Sequence, residues 1–189
     1  MRARNLLFSI LCVAALSVFA QTITIEKEAY RSVYDLGLQC PVQVLWTLHR
    51  SDIGDVKRQP SWQFRADVPS PLAVARHSDW TRSGYQRGHL CPAADRSGRV
   101  DLMRQTFAMS NTASQLLRVN VGSWKYTETQ SRLMLSQHDS VRILVVPVFL
   151  PEDTLFISSH HIAVPHAFFK AVWCAENDSV LSAWFIFNK

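Results

Sequence analysis

The chain has 189 residues, 48% of them hydrophobic and 19% charged, with a formal net charge of +5. That length can bury a sizeable core as one domain, and the absence of internal repeats or low-complexity linkers argues against a repeat array or a string of tethered modules. The charge is a mild basic bias, compatible with a polyanionic partner but not a demonstration of one.

The first twenty residues, MRARNLLFSILCVAALSVFA, set Arg2 and Arg4 ahead of an apolar run that ends on small residues at Ala20. This is the pattern of a cleavable export signal. The run is too short and its far flank too weak for a membrane span, so the expectation is an exported protein, periplasmic or secreted, without stable membrane association after cleavage. Cys12 is preceded by Leu11, where lipid attachment would want a small residue. Residues 21–189 then form the expected single domain, with 18 basic against 15 acidic residues once Arg2 and Arg4 are removed. It retains Cys40, Cys91 and Cys174, which fit either one disulfide with an odd thiol or three small buried residues; their spacing is not that of a zinc cluster.

In chain order, PVQVLWTLHR alternates in the phase Val42, Val44, Trp46, Leu48 and predicts a half-buried strand. Pro69 and Pro71 predict a loop, and 78–98 reads as turn-rich. From Asp101 to about Gln137 helix-compatible residues predominate, with a break at Ser110, Asn111 and Thr112. There Leu116, Leu117, Val121 and Trp124 predict one apolar helical face, with Asn120 and Glu128 on a stripe beside it and Gly122 weakening the helix. RILVVPVF, TLFIS and VLSAWFIFN predict strands, Pro147 being best tolerated at an edge or bulge; AVPHAFFKAVWCA between them fits a strand or a short helix. His160 and His161 fall in a strand-like run, on opposite faces, so they cannot share a metal. Strands on both sides of a helical middle predict an α+β layered domain.

The chemistry concentrates in YQRGHLCPAADRSG, Tyr85 to Gly98. An imidazole titrates near neutrality, the neighbouring guanidinium of Arg87 suits a phosphate oxygen, and Gly88 permits unusual backbone geometry. Downstream, Asn111, Gln115 and Asn120 lead to Trp124 and Glu128, a polar series a hard oxygen-seeking cation would satisfy. The run Tyr85 to Arg96, followed by Met109-Ser110-Asn111 with Gln115, Asn120, Trp124 and Glu128, resembles the DNA/RNA non-specific endonuclease family with its ββα-metal active site. PVQVLWTLHR, FRADV and IAVPHAFFKAVW extend the resemblance over most of the chain after residue 20.

The resemblance implies a central antiparallel sheet flanked by helices and a Mg²⁺-dependent endonuclease, Mn²⁺ being an alternative ion, acting on DNA and RNA to leave 5′-phosphate and 3′-hydroxyl ends. It implies His89 as general base, Asn120 as metal ligand, Glu128 as holder of water on the metal, Asn111 as hydrogen-bonding support and Arg87 as a phosphate contact. Arg96, close to His89 in sequence, is a further candidate for phosphate. Where the family has Asp, this chain has Gln86, an amide that still accepts a hydrogen bond from water on the metal but less strongly, which predicts a weaker metal or a slower rate. Arg58 and Arg65 have no assignable role. A non-catalytic nucleic-acid-binding homologue and a small-molecule phosphoesterase are the rival readings.

Overall fold

A computed structural model describes residues 21–70, 74–150 and 152–189. The expected leader, residues 1–20, and Pro71 lie outside the described residues.

The alternation in the PVQVLWTLHR stretch becomes a strand, β3 (Cys40–His49), that buries Val44, Trp46 and Leu48 and leaves Leu45 and Thr47 half-buried. Before it run β1 (Thr22–Glu26) and β2 (Arg31–Asp35). Behind it come β4 (Gln86–His89), β5 (Thr112–Gln115), β6 (Ser140–Val148), β7 (Leu155–Ile157), β8 (Ile162–Val164), β9 (Ala167–Cys174) and β10 (Val180–Phe187). Six of these make an antiparallel sheet in the order β1-β2-β3-β6-β9-β10, while β4-β5 and β7-β8 are separate two-stranded ribbons. The fold is α+β, as the sequence predicts.

One sheet face, carrying Val44, Trp46, Val141, Ile143, Val145, Phe168 and Val172, packs on Leu90, Leu102, Ala113, Val119 and Trp124. Leu90 directly follows β4, Ala113 lies in β5, Leu102 in a helix, α1 (Val100–Gln105), and Val119 and Trp124 in the turn leading into a second helix, α2 (Lys125–Leu133), so the main core lies directly under the conspicuous motif. Pro147 lies in β6, an interior strand, but past Val145, where the pairing with β3 ends. Its missing N–H therefore interrupts no ladder on that side.

Three sequence expectations change. Residues 112–115 form a strand inside the region expected to be helical, because all four residues are buried and pair with β4. The expected apolar face is also different: Trp124 is buried, but Leu117 and Val121 are 58% and 60% exposed, and Val119, Thr127 and Ser131 are buried instead. The cause is Gly122, whose φ of −106° and ψ of −105° break the helical period in a wide, π-type turn over Val119–Trp124. His160 and His161 sit in a turn, with His161 at φ 50°, and His160 pairs through Nδ1 with Asp79 at 2.9 Å. All three cysteines are free and buried, so no bridge forms among them.

Candidate active site

Strand β4 explains the motif. Alternation turns Arg87 and His89 to one face and Gln86 and Gly88 to the other. On that second face the buried Gln115 lies so close that a Cβ on residue 88 would come within 2.3 Å of its Cδ, so any side chain there forces Gln115 to move. On the first face the His89 ring lies between Phe64, 4.5 Å away, and the edge of Phe107, 4.7 Å away. Its Nε2 is buried without a hydrogen-bond partner. Burial, with the charge of Arg58 second, pushes the imidazole down to about pKa 3, so it is a neutral acceptor at physiological pH.

Two hydrogen-bonded braces hold this histidine in place. Trp124 donates its indole N–H to the His89 carbonyl at 3.0 Å, tying the start of α2 to the end of β4. Asn111, fully buried, accepts from the Cys91 N–H at 2.7 Å and donates to the carbonyls of Cys91 and Thr106 at 2.9 Å each. Asn111 thus braces the backbone at Cys91 and Thr106 and does not line the cleft. The FRADV stretch supplies Phe64 against His89 and Asp67, which accepts from the N–H and hydroxyl of Ser110 and pairs with Lys27 at 2.6 Å.

In front of His89 opens a cleft of about 310 Å³. Asn120 and Glu128 line it from the helical side, and Arg58, Arg87, Lys125 and Arg132 surround it with positive charge. Burial lifts the Glu128 carboxyl to about 7 against the opposing pull of Lys170. Among the described residues no side chain hydrogen-bonds or ion-pairs with it. A half-buried carboxylate beside a free amide oxygen is a donor set that fits a hard divalent cation. Below lies a charged layer: Asp95, fully buried, accepts from Trp46 Nε1 at 3.1 Å and from Arg132 at 2.8 Å. The buried Lys170 Nζ, without a hydrogen bond, sits 5.3 Å from the Trp124 ring and 5.9 Å from that of Trp46.

The structure thus gathers His89, Arg87, Asn120 and Glu128 and leaves two expected residues out. Gln86 faces away from His89 and does not line the cleft. Arg96 is 3% exposed and committed to the carbonyls of Ala29 and Thr47 and to Asp52 at 2.7 Å, so it is a buried clamp and not a phosphate contact. Arg132 and Lys125 were missed; Arg132 follows Glu128 by four residues, a spacing that already places both on one helical face. Arg58 comes from a loop that no periodicity connects to the motif.

The model of the family described as DNA/RNA non-specific endonuclease matches residues 13–188. The chain belongs to the DNA/RNA non-specific endonuclease family. Within it, "Endonuclease G, mitochondrial" of Homo sapiens is 33% identical over 157 residues, covering 78% of this chain and 53% of that protein. "Nuclease 1, mitochondrial" of Schizosaccharomyces pombe is 30% identical over 159 residues, covering 77% and 49%. A "Nuclease" of Nostoc is 31% identical over 121 residues, covering 64% and 44%. The chain therefore spans about half the length of these relatives. A crystal structure of an EndoG/EndoGI complex superimposes with a TM-score of 0.79 at 22% identity, covering 88% of this chain and 74% of that one, and so shares the fold. The expectation of export is corrected by these relatives: the human and fission-yeast proteins are mitochondrial by name and point to the mitochondrion rather than to export, the Nostoc nuclease being a bacterial member of the family.

Proposed function

We propose that residues 21–189 act as one catalytic domain, a Mg²⁺-dependent endonuclease that hydrolyses phosphodiesters of DNA and RNA with little regard to sequence. The observation that carries this reading is the neutral imidazole of His89 lining a cleft ringed by cations. Membership of a family whose relatives are named nucleases supports it.

Arg58, Arg87 and Arg132 draw the phosphate into the cleft and offset charge that builds on its oxygens. The His89 imidazole takes the proton of the attacking water, while Phe64 and Phe107 keep the ring from turning. Asn120 would ligate the ion and Glu128 would hold water on it. When bound, Mg²⁺, or Mn²⁺ with its similar taste for oxygen, polarises the phosphodiester and stabilises the leaving 3′ oxygen, giving 5′-phosphate and 3′-hydroxyl ends. Contacts to phosphate and metal carry no base identity, which accounts for low selectivity.

Nicking of supercoiled plasmid by the purified protein tests this. Cleavage should need Mg²⁺, stop with a chelator, and fall by about 10²–10⁴-fold in His89→Ala, the usual contribution of a general base. Cleavage that survives His89→Ala at full rate would sink the assignment. Because Gln86 faces away from the cleft, Gln86→Asp should leave the rate within a few-fold of the natural protein.

A further inference from the structure

We propose that His138, Cys174 and Glu176 form a second metal site, separate from the catalytic cleft, that takes Zn²⁺. Their candidate ligand atoms, an imidazole nitrogen, Sγ and a carboxylate oxygen, all lie within 4.8 Å of one another, and none of the three residues lines the cleft. They come from three segments. His138 follows the turn Met134–Ser136 at the end of α2, Cys174 closes β9, and Glu176 lies in the connection to β10. The backbone there is already fixed: Cys174 N–H donates to the Ser179 carbonyl at 2.9 Å and Ala175 N–H to the Ser140 carbonyl at 3.2 Å.

The carboxylate is aimed by its neighbours. Ser140 donates to one Glu176 oxygen through both its N–H and its hydroxyl, each at 3.1 Å, and the Cys174 thiol approaches the other at 2.7 Å. Outer-shell hydrogen bonds of this kind orient ligands in metal sites. The His138 ring makes no hydrogen bond among the described residues. Cys174 is 3% exposed whereas Glu176 is exposed, so an ion can enter from the Glu176 side and keep a water as fourth ligand.

The donor chemistry selects the metal. Thiolate with imidazole and carboxylate suits Zn²⁺ and not Mg²⁺, so the two centres would not compete for one ion. On binding, the Cys174 thiol loses its proton to solvent and its sulfur donates to the metal. Two ligands at the usual Zn–S and Zn–O lengths and tetrahedral angle stand about 3.6 Å apart, so Glu176 swings outward by about 1 Å. The bound ion would fasten the end of α2 to the β9-β10 hairpin.

The test is titration of metal-stripped full chain with Zn²⁺ and Co²⁺, in an Asn120→Ala background that disables the catalytic centre. One equivalent of Zn²⁺ should bind, the Co²⁺ form should show sulfur-to-cobalt charge-transfer absorption, and Zn²⁺ should raise the melting temperature. Cys174→Ser should abolish the absorption and weaken Zn²⁺ by at least about 100-fold, the upper end of what losing a mere outer-shell partner costs. His138→Ala, on a half-buried residue, provides the same comparison should Cys174→Ser fold poorly. In the otherwise natural chain Cys174→Ser should leave Mg²⁺-driven plasmid cleavage unchanged. Zn²⁺ binding that is equally tight in both variants, or a Co²⁺ form without sulfur absorption, would overturn the proposal.

Discussion

His89 is held neutral by its surroundings: two aromatic rings exclude water, and Arg58 adds a repelling charge. The folded protein therefore binds fewer protons at this site than the unfolded chain between about pH 3 and the ordinary histidine value of 6.5. Stability contributed by the site is present above that window and falls as pH drops through it. Under the proposed function the same shift means that protonation of His89 should not limit kcat/KM near pH 6.5. Burial is the larger cause and Arg58 the smaller, so Arg58→Ala should move an acid limb part of the way up toward neutrality. A pH profile of plasmid nicking reads this directly, and an unmoved limb would separate Arg58 from the base.

The β4-β5 ribbon is the element on which the site depends, and its tightest point is Gly88 beneath Gln115. Gly88→Ala should lower stability by about 1–3 kcal/mol, the usual penalty for an overpacked methyl, and Gln115→Ala in the same chain should restore much of it. Urea midpoints of the two variants check this. Glycine 88 was legible as a special position, but its partner was not, because Gln115 lies on a strand the sequence hid. Thr112-Ala113-Ser114-Gln115 has little intrinsic preference for β structure, and its pairing comes wholly from the distant β4. By contrast β3, β6 and β10 were readable because their alternation or apolar density is local. The same limit explains Arg96: sequence shows a charge near His89, but only packing shows that it turns into the core to bond Ala29 and Thr47.

Across the whole molecule the mild net charge conceals a concentration of cations, with Arg58, Arg87, Lys125 and Arg132 at one opening. Substrate capture should therefore weaken steeply with salt, and Lys125→Ala should flatten the slope of log KM against log salt by about one unit per lost phosphate contact. An unchanged slope would remove Lys125 from the binding path. The bond from Trp124 to the His89 carbonyl has a broader consequence. Under the proposed function it makes the base and the metal-facing helix parts of one body before a polynucleotide arrives. An enzyme assembled in advance has no closing movement through which a preferred sequence could be rewarded or a poor one refused. Under the proposed function, oligonucleotides of different composition should then share nearly one turnover number, and whatever bias exists should reflect how readily each strand bends its backbone into the cleft.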